Sequence, residues 1–305
     1  MSLDFHAQQA TNKRKTFALL TGMAVVTVAL IYAVGLWLGK GSTALVPIAV
    51  IFALIMVWGS YYNSDKLVLT MTGARIIDHD SAPQLFNLVQ EITIAAGLPM
   101  PKVAIVEDQA PNAFATGRDP EHAVIAFTTG ILSAMDREEL QGVTAHELAH
   151  VANRDTLVMA VAATTAGAIA IISDMAMRMS WFTGGNRRDN NDNSNAIGAI
   201  IGLIAIILAP IAALLLRSAI SRKRESLADA TAVAFTRNPT GLRRALENLA
   251  ADDTVVQQKS NAVAHIWIES PLDSSSTSKL FATHPPIQER IALLRQMEGS
   301  GPVAQ

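Results

Sequence analysis

Cysteine is missing from the chain altogether, and charge is scarce. Without cysteine there can be no disulfides and no thiolate metal sites, so any metal must be held by His, Asp or Glu. Charged residues make up 16% of the sequence and hydrophobic ones 50%. A soluble domain carries roughly 25% charge, so the deficit points to a membrane protein. The net charge of −2 lacks the basic excess of a nucleic-acid binder, and no nucleic-acid partner is expected. At 305 residues the chain is long enough for one or two domains with a sizeable core.

Four stretches carry no charge: Phe17–Leu38, Ala44–Tyr62, Thr156–Ser173 and Ala196–Leu216. Each approaches or exceeds the roughly 20 residues that a bilayer crossing takes. The first two end in aromatics suited to the membrane interface, namely Trp37, then Trp58, Tyr61 and Tyr62. The third is rich in Ala, Thr and Gly, and a buried or interfacial segment is the alternative there. Lys13, Arg14 and Lys15 precede the first span, and Arg217, Arg222, Lys223 and Arg224 follow the fourth. Positive residues stay in the cytoplasm, so both chain ends are expected there. The expected organisation is an N-terminal transmembrane hairpin in 1–62 and a soluble domain in 63–305 that a second hairpin interrupts.

The spacing of Leu85, Leu88, Val89 and Ile92 predicts a helix over 83–96, stopped by Gly97 and Pro99. Strands are expected at 103–106, 113–116 and 123–127, with a turn at 117–120. Asp136 and Glu139 form a capping-box pattern that opens a helix. Helices are also expected at 222–235, 242–249 and 286–297, and Ser274–Ser278 reads as a loop.

The helix behind the capping box contains His146-Glu147-Leu148-Ala149-His150. Histidines four apart lie on one helix face, about one turn from each other. Zinc accepts neutral imidazole nitrogen and prefers four ligands. A carboxylate next to a ligand, as Glu147 is next to His146, can reach a water on the metal and act as a general base. The alternative is a pair of surface or satisfied-core histidines, but Val143, Ala145, Leu148, Ala149 and Val151 mark a buried helix, where unpartnered polar groups are costly.

No third histidine follows at a ligand spacing. Glu225 is the better candidate, with Asp229 four residues on and able to orient a ligand histidine. Taken alone, the pair also reads as a solvated charge cluster below a membrane span. Topology tips the balance. His150 lies six residues before the third span and Glu225 nine after the fourth, so a membrane hairpin returns both to one face.

Together these residues resemble the HtpX-type bacterial membrane zinc metalloproteases, and more broadly the gluzincins that include the CAAX prenyl proteases. The resemblance rests on the two N-terminal spans, Asn112–Gly117, His146–His150, Ser221–Glu225 with Ala228 and Asp229, and Thr283–Pro286 with Arg290. It implies an α+β fold: a multi-pass membrane protein with a mainly helical zincin-type metalloprotease domain and a small β-sheet. It implies one zinc ion held by His146, His150 and Glu225, with Glu147 as the general base and Asp229 behind a ligand. Asn112–Gly117 is then the edge strand for a peptide substrate. His284 would stabilise the oxyanion or position the substrate, with Arg290 orienting it. The substrates implied are misfolded or damaged membrane proteins, cut at the cytoplasmic face of the bacterial inner membrane. Two rivals stand beside this: a CAAX-type processing protease, and a non-catalytic membrane scaffold or transporter. A transporter would bury its ionisable ligands within the spans, which here are free of charge.

Overall fold

The computed structural model describes parts of 10–28, then 45–162, 222–252, residues 254 and 256, 266–268 and 286–299. Among these residues the protein is mostly helical, with one small mixed sheet. In chain order come α1 (Leu45–Tyr62), α2 (Ser64–Thr72), β1 (Arg75–Ile76), α3 (Pro83–Ala96), β2 (Lys102–Val106), β3 (Ala113–Thr116), β4 (Val124–Thr128), α4 (Thr129–Ala134) and α5 (Arg137–Ala152). Residues 155–162 are helical too. The chain resumes with α6 (Arg222–Thr236), α7 (Pro239–Ala251) and α8 (Ile287–Gly299).

Among the described residues no helix is long and apolar enough to cross a membrane. The 18 residues of α1 rise about 27 Å at 1.5 Å each, just short of a hydrocarbon layer of about 30 Å. Ile48, Ile51, Leu54, Ile55 and Trp58 stand exposed on α1. The expected fourth span, most of the first and third, and the loop at Ser274–Ser278 lie outside the described residues.

The strand order is β1-β2-β4-β3. β2 and β4 are parallel, while β1 pairs with β2 and β3 with β4 in antiparallel fashion. Successive side chains of a strand point to opposite faces, and both faces here are covered. Val103, Ala113, Ile125 and Phe127 face a core shared with the helices, including Leu85 and Val89 of α3, Leu148 of α5, Leu242 and Leu246 of α7 and Leu294 of α8. Ala104, Phe114, Val124 and Ala126 face a second cluster with Val68 and Trp267.

Local signals account for most boundaries. Gly97 ends α3 in the left-handed region at φ 64°, donating to the Ile94 and Thr93 carbonyls. The strand expected at 123–127 runs one residue later because Ala123 N–H closes a short 3₁₀ turn onto the Pro120 carbonyl. α7 begins three residues before the expected 242. Asn238 caps it by accepting from Thr240 N–H, and Pro239 takes the first turn, where a missing N–H does no harm.

α5 is the centre of the molecule. Its capping box is complete: Asp136 accepts from Glu139 N–H and Glu139 accepts from Asp136 N–H, each at 2.9 Å. Glu139 also accepts from Asn248 of α7 at 2.9 Å. From Gly142 to Val151 every residue is buried, so no face of that stretch meets water. The backbones of α5 and α7 meet at glycines. A Cβ at Gly142 would stand 2.3 Å from Leu242 N and 2.6 Å from its Cα. Gly142→Ala must therefore push α7 away from the helix that carries the histidines. Overpacking of this kind costs roughly 1–3 kcal/mol, and a lowered denaturation midpoint with an unchanged m-value is the expected result.

Candidate metal centre

His146 and His150 project from the buried stretch of α5, and α6 packs against it with Glu225 and Asp229. His146, His150 and Glu225 are 0%, 4% and 3% exposed, and each offers a ligand atom within 4.8 Å of the others. Both imidazoles have a carboxylate at Nδ1. His146 Nδ1 lies 3.0 Å from Asp229 Oδ1, and His150 Nδ1 lies 3.1 Å from Asp155 Oδ2. This leaves the two Nε2 atoms to converge at 3.2 Å, with Glu225 oxygens 3.6 Å from one and 3.8 Å from the other.

These separations fit a metal. A tetrahedral site with bonds near 2.0–2.1 Å spaces its ligand atoms about 3.3 Å apart, and three protein ligands leave a fourth position open. Charge agrees. Glu147, Asp155, Glu225 and Asp229 are buried together with Arg224 and Arg290. With both imidazoles neutral, as metal ligands must be, four carboxylates against two guanidinium groups leave two negative charges over, which a divalent cation balances. The donor set of imidazole and carboxylate suits zinc.

Arg290 of α8 closes the cluster from behind. It donates to both oxygens of Asp229, Nε at 3.0 Å and Nη2 at 2.7 Å, and its Nη2 lies 3.3 Å from His146 Nδ1. Burial pushes the Asp229 carboxyl up, but the Arg290 charge and the bonds from His146 and Arg290 outweigh it and hold it at about 2. On His146, burial and the Arg290 charge press the pKa down, and the Asp229 and Glu225 carboxylates win, raising it to about 9 without a metal. Glu147 is 2% exposed and lies close enough for its charge to act on Arg290.

Sequence reading missed three participants. Asp155 and Asn12 meet behind His150, and Arg224 Nε lies 3.7 Å from Asp155. Asp155 lay in plain view five residues after His150, but only the turn out of α5 brings it back. His284 lies outside the described residues. The strand at 113–116 is indeed the sheet edge, and part of that edge is taken: Ile268 N–H donates to the Ala113 carbonyl at 2.9 Å, and Trp267 packs edge-to-face on Phe114.

Buried imidazoles and a carboxylate on two packed helices beside a small sheet are the arrangement a metallopeptidase requires. Residues 80–298 match the family model described as peptidase family M48, and the chain belongs to that family: it is a zinc-dependent metalloprotease. Its relatives include proteins named "Protease HtpX homolog". That of Thermoanaerobacter pseudethanolicus is 45% identical over 95% of this chain and 96% of its own length. That of Streptococcus gordonii is 44% identical over 95% and 99%, and that of Thermococcus sibiricus 45% identical over 90% and 93%. The crystal structure of S. mikatae Ste24p aligns with a TM-score of 0.47 at 15% identity, covering 94% of this chain and 66% of that one.

Removing Arg290 would take from the buried Asp229 carboxylate its guanidinium partner and leave it the His146 imidazole. Breaking such a buried pair costs roughly 3–5 kcal/mol, so Arg290→Met should lose about that much in urea denaturation of the metal-free protein near pH 7. The Asp229 pKa is lowered on folding from 3.8 to about 2. Its contribution is therefore complete above pH 4 and fades as the pH falls towards 2, and the gap between variant and wild type should narrow over that window.

Proposed function

We propose that the protein is a membrane endopeptidase that cuts misfolded or damaged membrane proteins at the cytoplasmic face, with one zinc held by His146, His150 and Glu225 and with Glu147 as general base. The observation that carries this reading is the convergence of two Nε2 atoms and Glu225 in a buried cluster two negative charges in excess. Zinc, when bound, supplies a Lewis acid that polarises the scissile carbonyl and acidifies water.

The chain's own residues do the rest. Glu147 takes a proton from the attacking water and hands it to the departing amine nitrogen. Asp229 orients His146, and Arg290 holds Asp229. The substrate lies extended along β3, which is a sheet edge whose four residues are buried, so the chain covering that edge must give way before a peptide can pair with it. There it competes with Ile268 for the Ala113 carbonyl. His284 serves the oxyanion or the substrate. The membrane part comprises an N-terminal hairpin in 1–62 and a second hairpin, 156–173 with 196–216, interrupting a protease domain of 63–305.

Two experiments test this. Degradation of an unfolded test protein by purified enzyme in detergent is expected to fall about 10²- to 10⁴-fold in Glu147→Gln, with zinc content unchanged. His146→Ala, His150→Ala and Glu225→Ala are expected to lose the zinc. If Glu147→Gln cuts as well as wild type, Glu147 is not the base. Topology is tested with single cysteines placed in the cysteine-free chain and labelled in intact cells by an impermeant maleimide. Ser42→Cys and Ser194→Cys should react, and Ser2→Cys and Ser300→Cys should not. The reverse pattern places the active site outside the cytoplasm.

A further inference from the structure

The two histidines are not held alike. His146 is served by Asp229 from another helix, four residues after Glu225. His150 is served by a residue of its own strand of sequence. After α5 ends at Ala152, Asn153 caps it and Arg154 turns through the left-handed region at φ 57°. That conformation interrupts the helix, and Asp155, fully buried, stands against His150 Nδ1 at 3.1 Å.

Asp155 is held in turn from a distant part of the chain. Asn12 lies in a helical segment ahead of the first apolar stretch. Its Nδ2 donates to Asp155 Oδ1 at 2.6 Å and to the Asn153 carbonyl at 2.9 Å. One amide therefore grips both sides of the turn that presents Asp155. The two oxygens of Asp155 are divided, Oδ2 to the imidazole and Oδ1 to Asn12, with Arg224 Nε 3.7 Å from Oδ1. Arg224 directly precedes Glu225.

We infer that Asp155 is the positioning residue of His150 and that Asn12 completes it, so that the segment before the first apolar span is a working part of the metal centre. Asp155 accepts a hydrogen bond from Nδ1–H and turns Nε2 towards His146 and Glu225. Asn12 fixes the carboxylate in the rotamer that does so. Neither touches the reacting atoms; both act through the imidazole. Partners of this kind typically change metal affinity by about 10- to 100-fold when lost. The inference rests on the reading of His150 as a zinc ligand.

The test uses the full chain purified in detergent. Zinc affinity is measured by competition with a chromophoric chelator, and the cobalt-substituted protein is compared by its visible ligand-field bands. Asp155→Asn preserves shape, and Asn12→Ala leaves the carboxylate in place. Both are expected to weaken zinc binding, Asp155→Asn by about 10-fold or more and Asn12→Ala in the same direction by less, and to shift the cobalt bands alike. Circular dichroism confirms that each variant is folded. If Asn12→Ala is folded and Asp155→Asn is not, Asn12→Ala decides alone, because it releases the carboxylate without removing it. Wild-type affinity and wild-type bands in the folded variants overturn the inference. His150→Ala separates the two levels. If it retains zinc as wild type does, the ligand reading beneath has failed. If it loses zinc while Asp155→Asn and Asn12→Ala keep it, only the present inference has failed.

Discussion

Burying ionisable groups side by side is the constraint on which this molecule is built. Four carboxylates, two guanidinium groups and two imidazoles share one interior region. None of these charges is tolerable there alone. Several are given a partner from a different element, and those partnerships tie the helices together. Arg290 ties α8 to α6 through Asp229, Asp229 ties α6 to α5 through His146, and Asp155 ties the start of the next helix back to α5 through His150. With both imidazoles neutral the cluster carries two negative charges in excess, which suits it to a divalent cation, and the chain belongs to peptidase family M48.

The surroundings explain how such a cluster can be tolerated. α5 is buried on all sides over its second half, so its position is set by packing: the sheet lies on one side and α3, α6 and α7 around the rest. The glycine contact with α7 brings backbones close enough to leave little play. A precise site needs ligands on rigid elements whose side chains are locked by neighbours, and a fully enclosed helix provides that. The edge of the sheet is built differently. The edge of β3 is shared with residues 266–268, held by one backbone hydrogen bond and one aromatic contact.

Much of this was legible in the residues themselves. The capping box at Asp136 and the glycine stop at Gly97 are local devices, decided within a few residues, and each appears where the pattern places it. The pairing of His146 with His150 on one face follows from helix geometry alone. The start of α7 was misjudged because an Asn-Pro cap carries no hydrophobic period.

By itself, then, the sequence determined the elements and the chemistry available: no thiolates, a buried helix with two histidines and a glutamate, and a second acidic pair far along the chain. Such features depend on neighbours in sequence, and local physics suffices to read them. Tertiary structure alone decided which carboxylate serves which imidazole. Asp155 reaches His150 through one left-handed residue, Asn12 reaches Asp155 across 143 positions, and Arg290 reaches Asp229 across 61. Contacts between distant residues leave no periodic trace, because they are fixed by how packed helices cross and not by the spacing of residues along any one of them.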